Sequence, residues 1–542
     1  MNTSFPLPAL SFPNVLAHHV ARNGTKVFLT ELATGRKWTF SELDAWSNRL
    51  ANGLYALGVA HGTHVGLLMG NCAEHLALFL ALGKLGAVYV PVNTAARGEL
   101  LRYYFAHASV RLVIADEELA PRLADVLIDL PELQDVVLAG RAGAGADLSS
   151  LTWARPVHDL AAMTASASDM PVQADIHCHT LLMLAYTSGT TGPSKASMLS
   201  HAAALSYGTG GIEAHGYRQS DVFYVCLPLF HVNALLTSTA TALVSGASVV
   251  LAERFSASNF FDEIRACKAT TTNLLGAMTN FLWSRPPQAS DADNALRLVS
   301  MSPLPKFTPE FEKRFGLKAV TNYGLSDFGT VTSYPAGSPI EKLGSIGKPR
   351  SYFEARIIDE NDMECAPDVI GEIALRTREP WRAATGYYKM PEATAAANRN
   401  QWFHTGDRAY RDADGYLWFV DRKKDCIRRR GENISAFEVE QVITSHPAVG
   451  SAAVFPVSTA EKDEEVGAAV ALREGAVLTE RELIEHCAQN MSYFMVPRYI
   501  QFMPELPTTM NQKIEKFKLK QAMEAALDTV WDRERAGIVL AR

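Results

Sequence analysis

The stretch YTSGTTGPSKASMLS, residues 186–200, carries the strongest structural signal in the chain. It follows the apolar run Leu181–Ala185, which predicts a buried strand. Gly189 and Gly192 let backbone amide groups turn towards a ligand, and the Ser and Thr hydroxyls together with Lys195 supply further donors and a positive charge. This composition predicts a polyphosphate-binding loop, with a solvated turn as the alternative. A Walker loop is excluded, because no Gly directly precedes the lysine.

Length and composition limit the class of protein. The 542 residues are too many for one hydrophobic core, so we expect two or more domains. The net charge of −7 argues against a broad nucleic-acid surface. The seven cysteines are scattered without a C-x-x-C pair, which indicates reduced thiols in a cytoplasmic protein and no zinc site. Neither a signal-peptide pattern nor an apolar run of membrane-spanning length is found, so no membrane span is expected.

Strand and helix patterns alternate over about the first 316 residues, as in a parallel α/β sheet. Thr39 and Glu42 form a capping box before a helical apolar stripe, and Ala73–Leu85 has helical spacing as well. A further helix is expected from about Ser200 to Gly208, directly after the polyphosphate loop. These elements predict that the loop lies at one end of a buried sheet.

The pattern changes further along the chain. From residue 344 strands dominate, and past residue 424 a compact segment combines strands and helices. We therefore predict an α/β fold whose large N-terminal domain, residues 1–423, contains mixed α/β subdomains plus a β-rich subdomain. A small C-terminal α/β domain, residues 424–542, completes the chain and has the size of an independent fold.

Five motifs connect these regions. They are YTSGTTGPSK (186–195), NYGLSD (322–327), HTGD (404–407), DRKKDCIRRRGEN (421–433) and PTTMNQK (507–513). Together they resemble the adenylate-forming superfamily, which includes acyl-CoA synthetases, luciferases and peptide-synthetase adenylation domains. The segments RRRGENISAFEVE (428–440) and HCAQNMSYFMVPRYI (486–500) are most similar to the acyl-CoA ligase branch, including carnitine/crotonobetaine-type ligases.

The resemblance implies a two-step reaction with ATP, Mg²⁺ and coenzyme A. A carboxylic acid attacks the α-phosphorus of ATP to give an acyl-adenylate, and the thiol of CoA then displaces AMP. Because a carboxylate is already anionic, the first step needs charge neutralisation and in-line placement, not a general base. The resemblance assigns the β- and γ-phosphates to Thr187, Ser188, Gly189, Thr190, Thr191, Gly192 and Lys195.

The NYGLSD motif would bind the rest of the nucleotide. The resemblance assigns Asn322, Tyr323 and Gly324 to nucleotide binding, with Tyr323 stacking on adenine; a core tyrosine at a strand end is the alternative. It implies that the Ser326 hydroxyl contacts the α-phosphate and that Asp327 binds Mg²⁺. Asp327 stands where the family usually carries Glu, so its carboxylate is one methylene shorter and could reach the metal through water.

The remaining motifs imply roles around a rotating small domain. Asp407 would accept the ribose hydroxyls, and Arg422 would support the same ribose. Lys424 matches the hinge, about which the small domain turns as a mobile lid between the half-reactions. Gly431 would line the pantetheine tunnel, where a side chain would block the thiol. Lys513 would be catalytic, bridging the incoming carboxylate and the α-phosphate; a turn and a surface lysine are the alternatives at these last two positions.

The acyl pocket is expected from residues 230–236, 275–280, 301–304 and 325–330, which are mostly apolar and suit a small or medium organic acid. The resemblance places His231 at the pocket as a gate, and an ordinary core histidine is an equal alternative. No acidic cluster stands out to hold a quaternary ammonium, so carnitine itself is not expected.

Some positions depart from the family pattern. Ala196-Ser197 replace Gly-Val after the loop lysine, where the added methyl could crowd the turn, and Gln512 replaces the Gly before the catalytic lysine. These departures leave a nucleotide-binding relative without turnover as an alternative to the CoA ligase. Transfer of the acyl group to a separate carrier-protein thiol is a further alternative. A homodimer is also left open.

Overall fold

The computed structural model describes residues 5–148, 153, 155–186, 194–422, 426–429, 432–458, 464–491, 493, 495–508 and 514–540. The chain divides into two compact units. Unit 1 comprises Met1–Gly276, Leu282–Glu354 and Thr377–Ala396, and unit 2 comprises Ala277–Phe281, Ala355–Arg376 and Ala397–Arg542. The domain boundary expected at residue 424 lies outside the described residues and stays a prediction.

The helices are distributed over both units. In chain order they are α1 Phe12–Asn23, α2 Phe40–Ala56, α3 Ala73–Leu85, α4 Gly98–His107, α5 Ala120–Ala124, α6 Leu160–Ala165, α7 His201–His215, α8 Thr241–Ser245, α9 Phe260–Cys267, α10 Gly276–Trp283, α11 Thr308–Phe315, α12 Pro391–Ala397, α13 Ala436–Thr444, α14 Glu480–Asn490 and α15 Lys516–Ala525. A π-helix, Asn233–Ala240, leads directly into α8. No helix in the described parts of the chain has the length and apolarity to cross a membrane.

The strands alternate with these helices. In chain order they are β1 Val27–Glu31, β2 Lys37–Thr39, β3 His64–Leu68, β4 Val88–Pro91, β5 Leu112–Asp116, β6 Asp135–Ala139, β7 Val157–Asp159, β8 Leu181–Tyr186, β9 Ala196–Ser200, β10 Val222–Val225, β11 Ser248–Leu251, β12 Thr271–Leu275, β13 Leu298–Ser302, β14 Lys318–Leu325, β15 Gly329–Tyr334, β16 Lys348–Pro349, β17 Phe353–Ile358, β18 Gly371–Thr377, β19 Phe403–Arg411, β20 Leu417–Arg422, β21 Cys426–Arg429, β22 Glu432–Ser435, β23 Val449–Ser458, β24 Glu464–Leu472, β25 Tyr499–Met503 and β26 Trp531–Asp532.

Unit 1 is built on two sheets. Sheet A has the strand order β16-β15-β14-β13-β12-β10-β11-β1-β2, and sheet B has the order β7-β6-β5-β3-β4-β8-β9. Strands β1 and β10 to β14 pair in parallel, as do β3 to β8, whereas β9 pairs antiparallel to β8 at the edge of sheet B. Parallel strands need crossover helices that cover both faces, which explains why β3, β4 and β5 are almost wholly apolar.

Local signals set several helix ends. The Thr39 side chain accepts from the Glu42 amide and the Glu42 carboxylate accepts from the Thr39 amide, so the predicted capping box is confirmed. The predicted helix Ala73–Leu85 is also confirmed, and it ends at Gly86 in the left-handed region.

One predicted helix end was wrong. Helix α7 continues past Gly208 to His215 and ends at Gly216, which adopts the left-handed conformation. Gly208 serves close packing instead of termination, because a Cβ there would lie 2.9 Å from the carbonyl oxygen of Ala240 in the π-helix. A glycine inside a helix can therefore mark a close helix contact where sequence reasoning expects a stop.

Unit 2 contains most of the β-rich region and the C-terminal segment. One sheet has the order β17-β18-β19-β20, and a second has the order β23-β24-β25-β26, where β23 and β24 pair antiparallel and β24 and β25 pair in parallel. Apolar side chains of α13, α14, β23 and β24 form one buried core there. The predicted class is confirmed: an α/β protein with a large N-terminal part and a small C-terminal α/β part.

Candidate functional site

The NYGLSD motif lies on a hairpin at the end of β14. Strand β14 continues to Leu325 and pairs antiparallel with β15, with a register shift after Tyr323. Gly324 is required at this shift, because a Cβ there would lie 2.1 Å from the carbonyl oxygen of Gly329. The hairpin thereby fixes the backbone that carries Ser326 and Asp327.

Asp327 is buried and held by groups from distant parts of the chain. Its side chain is 7% exposed, and Ser197 Oγ in β9 donates to its Oδ1 over 2.7 Å. Its main-chain carbonyl accepts from the Ala384 amide at 2.7 Å. Burial raises the pKa of Asp327, while hydrogen bonds from the Ser197 and Tyr387 hydroxyls and the charge of Lys195 act in the opposite direction. Hydrogen bonds from two segments that are distant in the chain therefore fix the position of this carboxylate.

The residues that follow the predicted polyphosphate loop belong to this same region. Lys195 Nζ lies 4.9 Å from the centroid of the Tyr387 ring, a cation–π distance. Ala196 is fully buried in β9, where it pairs with Tyr186 and packs into the core of sheet B. The extra methyl that sequence reasoning expected to crowd a turn is therefore accommodated in a strand.

Asn322 and Tyr323 are firmly placed on β14. Asn322 Oδ1 accepts from Ser333 Oγ at 2.9 Å and lies 2.8 Å from His215 Nε2. Tyr323 is buried, with 9% of its surface exposed. Burial lowers the pKa of His215 to about 4, so this histidine is neutral near pH 7 and suits an amide neighbour. The binding of the nucleotide by Asn322 and Tyr323, with Tyr323 stacking on adenine, stays a prediction.

Three supporting side chains were missed by sequence reasoning. These are Ser197 and Tyr387, described above, and Tyr207 of α7, whose hydroxyl donates to the carbonyl oxygens of Leu325 and Ser326 at 3.3 and 3.4 Å. The tyrosines carry no local signal, because their contacts are more than fifty residues away in the chain. Ser197 did carry one, since it replaces the usual valine.

His231 lies on a turn fixed by a side chain from sheet B. Its amide donates to the Pro228 carbonyl at 3.0 Å, and its ring packs against Phe230 with centroids 5.1 Å apart. Asn71, in the loop after β3, donates to the Leu227 carbonyl and accepts from the Leu229 amide. The π-helix follows at once, and such helices are frequent at functional sites. The gating role of His231 stays a prediction.

Asp407 lies in β19 of unit 2. Its side chain is 5% exposed, and its amide donates to Thr405 Oγ1 at 3.1 Å. Gly406 adopts a φ of 71°, which favours glycine in this turn. The backbone of Asp407 pairs across the sheet with Arg422, the residue expected to support the same ribose; only the backbone of Arg422 is described. The adjacent Arg408 forms a bidentate pair with Asp421.

The other expected site residues lie outside the described residues, so their roles stay predictions. They are Thr187, Ser188, Gly189, Thr190, Thr191, Gly192, Lys424, Gly431 and Lys513. Within the described parts of the chain, no group of three or more His, Cys, Asp and Glu side chains is arranged to hold a metal ion. A single carboxylate such as Asp327 nevertheless fits Mg²⁺, which usually binds one or two carboxylates together with substrate phosphates and water.

Known proteins match this fold over nearly its whole length. The crotonobetaine/carnitine–CoA ligase of Salmonella enteritidis PT4 is 31% identical over 496 residues, covering 90% of this chain and 93% of that protein. The anthranilate CoA ligase AuaEII in complex with anthranoyl-AMP has a TM-score of 0.86 at 26% identity, covering 97% of this chain and 100% of the other. ATP-bound MatB from Rhodopseudomonas palustris has a TM-score of 0.84 at 26% identity, covering 94% and 98%.

Family models agree with these similarities. The model described as AMP-binding enzyme matches residues 16–388, and the model described as AMP-binding enzyme C-terminal domain matches residues 438–513. The first match contains the β8–β9 region and the hairpin that carries Asp327. The chain therefore belongs to the AMP-binding enzymes of the adenylate-forming superfamily, in the branch of the acid–CoA ligases.

Proposed function

We propose that this enzyme joins a small or medium organic acid to coenzyme A at the expense of ATP, through an acyl-adenylate. The observation that carries this proposal is the buried Asp327 carboxylate, held by Ser197 and Tyr387 close to Lys195. A fixed carboxylate beside a fixed ammonium group can bind a metal ion and a polyphosphate, and this arrangement suits charge neutralisation better than proton transfer. Relatives with the same fold are named as CoA ligases, and one binds an acyl-adenylate.

The chemistry assigned to the described residues is positioning and charge neutralisation. Asp327 would hold Mg²⁺, which would supply charge neutralisation at the phosphates of ATP. Lys195 adds a second positive charge there, and the Ser326 hydroxyl donates to the α-phosphate. The acid arrives as an anion, so no side chain has to remove a proton from it. Asp407 accepts hydrogen bonds from the ribose hydroxyls, and Tyr323 stacks on adenine.

The small C-terminal domain completes both steps. Lys513 bridges the attacking carboxylate and the α-phosphate, and Gly431 leaves room for the pantetheine thiol. Lys424 acts as the hinge of this mobile lid. His231 gates the acyl pocket. These assignments rest on the superfamily motifs in this sequence, and the match to the family's C-terminal domain, residues 438–513, includes Lys513.

The surroundings proposed for this enzyme follow from its substrates. A reducing cytoplasm supplies ATP and CoA, and the cysteines whose side chains are described are all free thiols, which fits such a compartment. A homodimer stays a prediction.

A panel of carboxylic acids tests the proposed function. We expect one class among short, medium, dicarboxylic and aryl acids to stimulate pyrophosphate release from Mg·ATP, and CoA to convert the product to a thioester seen by mass spectrometry. Thioester formed only when a carrier protein replaces CoA would contradict the acceptor. No pyrophosphate with any acid would contradict the enzyme activity itself.

Two variants separate the half-reactions. We expect Lys513→Ala to abolish acyl-adenylate formation but to spare the attack of CoA on acyl-adenylate supplied ready-made. Gly431→Leu should do the reverse, because a branched side chain would fill the tunnel. Lys518→Ala is a matched control, since Lys518 is exposed and pairs with Glu515. Equal loss of both steps in Lys513→Ala would remove its assigned role.

A further inference from the structure

Ser197 and Asp327 are departures from the family pattern that touch each other. In the motif resemblance described under Sequence analysis, Asp327 stands where the superfamily usually carries Glu, and Ser197 stands where it usually carries Val. They lie 130 residues apart in the chain, yet Ser197 Oγ donates to Asp327 Oδ1 over 2.7 Å between buried atoms. A valine could donate no hydrogen bond, and a glutamate would carry its carboxylate one methylene further. The contact indicates that the shorter acid and the serine hydroxyl act together in this protein.

We propose that Ser197 is a positioning residue for the Asp327 carboxylate, and that the two form a matched pair in place of the family's valine and glutamate. The inference rests on the proposed function, in which Asp327 holds the metal of Mg·ATP. The Ser197 hydroxyl fixes one oxygen of the shorter side chain. A carboxylate that accepts such bonds keeps lone pairs for a cation, and a ligand fixed beforehand loses less entropy on binding.

The position of Ser197 is itself fixed from both sides. Strand β9 pairs with β8 on one side, and on the other the segment 384–388 adds along it: the Thr385 amide donates to the Met198 carbonyl at 3.0 Å, and the Tyr388 amide donates to the Ala196 carbonyl at 2.9 Å. The same segment donates to Asp327 from the Ala384 amide. Ser197 therefore acts from a rigid strand, so its hydroxyl can restrain the carboxylate.

A purely structural bond is the alternative, in which Ser197 only ties the hairpin to the edge of sheet B. The two roles differ in the contribution of the metal to nucleotide affinity. A positioning role affects the metal-dependent gain, defined as the ratio of the dissociation constants of ATP without and with Mn²⁺. A structural role lowers the unfolding temperature and leaves that ratio unchanged.

Calorimetric titration of the full-length enzyme with ATP in EDTA, and with Mn·ATP, measures this gain without any acid substrate. We expect Ser197→Val to lower the gain about tenfold and Asp327→Glu to lower it by a similar factor, because the longer side chain no longer meets the hydroxyl. The double variant should return to within about threefold of wild type, which is strong non-additivity. Ser197→Thr keeps a hydroxyl on a strand and should retain most of the gain.

Ser200→Ala is the matched control. Ser200 is a buried serine of the same strand, and its hydroxyl caps α7 by accepting from the Ala203 amide at 3.2 Å. We expect it to lower the unfolding temperature and to leave the gain unchanged. Additive losses in the double variant, or a normal gain in Ser197→Val, would overturn the inference while the wild-type gain still supported the proposed function. A wild type without any metal-dependent gain would overturn both the metal role of Asp327 and the inference.

Discussion

Asp327 and Asp407 are both buried carboxylates of the expected nucleotide site, but different parts of the chain hold them. Asp327 depends on Ser197, 130 residues earlier, and on Tyr387, 60 residues later. At Asp407 part of the turn is local: the amide donates to Thr405 two residues before, and Gly406 supplies the left-handed conformation. The Thr405 hydroxyl and the Gly406 amide in turn donate to the Ile373 carbonyl and the Glu372 carboxylate of β18.

This difference shows when a sequence motif is sufficient to predict the geometry of its site. The HTGD segment contains the glycine and the threonine that shape its own turn, so its sequence predicts the turn, and β18 adds acceptors for both residues. The NYGLSD segment does not contain the groups that fix its acid, because these come from β9 and from the segment before α12. Substitutions in the two regions should therefore change different properties of nucleotide binding.

The largest effect is expected from Gly324→Ala. The new methyl would lie 2.1 Å from the Gly329 carbonyl, so the hairpin must open and displace both Ser326 and Asp327. Misplacement by about 1 Å can cost about 100-fold in rate, and we expect pyrophosphate release to fall by more than that. Gly450→Ala, whose methyl would meet atoms no closer than 3.4 Å, is the control. A Gly324→Ala enzyme with wild-type activity would show that the hairpin does not position the site.

Asp327→Asn should have the next largest effect. The amide keeps the size of the side chain but removes the charge that Mg²⁺ requires, so kcat/KM for Mg·ATP should fall about 100-fold. Discrimination between ATP and 2′,3′-dideoxy-ATP should stay as in wild type. Steady-state kinetics with ATP and with 2′,3′-dideoxy-ATP measure both kcat/KM and this discrimination. A change confined to ribose discrimination would reverse the roles given to the two aspartates.

Asp407→Asn should have a smaller and different effect. A hydrogen bond to a charged group contributes about 1.5–3 kcal/mol and one to a neutral group about 0.5–1.5 kcal/mol, so loss of the charge should cost about 1–1.5 kcal/mol and lower kcat/KM for ATP about 10-fold. The preference for ATP over 2′,3′-dideoxy-ATP should shrink, while the metal-dependent gain in ATP affinity stays. If the preference persists, Asp407 does not bind the ribose.

Asp116 is a third carboxylate, and like Asp327 it bonds to a residue that is distant in the chain. It has no role assigned in the site. It ends β5 and accepts from the Gly70 amide at 2.7 Å, and burial raises its pKa to about 6. The stability that this group contributes is full below about pH 4 and is lost as the pH rises through about 6. Asp116→Asn stays neutral, so it should gain about 2 kcal/mol over wild type between pH 4 and pH 7.5.

Unfolding midpoints of the two proteins across this pH range measure the difference for Asp116→Asn, with pyrophosphate release as the control for unchanged activity. Parallel stability curves would show that burial does not perturb this carboxylate. A large loss of activity would show that Asp116 has a role in the site after all.

Much of the architecture was predictable because its signals are local. The Thr39–Glu42 capping box, the helix Ala73–Leu85 and the apolar strands of sheet B are specified by residues within a few positions of each other. The end of α7 was not predictable, since Gly208 is used for contact with a helix more than thirty residues away. No local pattern distinguishes such a glycine from one that ends a helix.

The sequence by itself determined the element types, the α/β class and the order of the motifs, and hence the family, because each depends on neighbouring residues. Only the tertiary structure decided that Ser197 bonds to Asp327, that Tyr207 supports the hairpin and that Gly324 must lack a side chain. The physical reason is that a hydrogen bond or a steric contact acts over a few ångströms in space, whatever the separation along the chain.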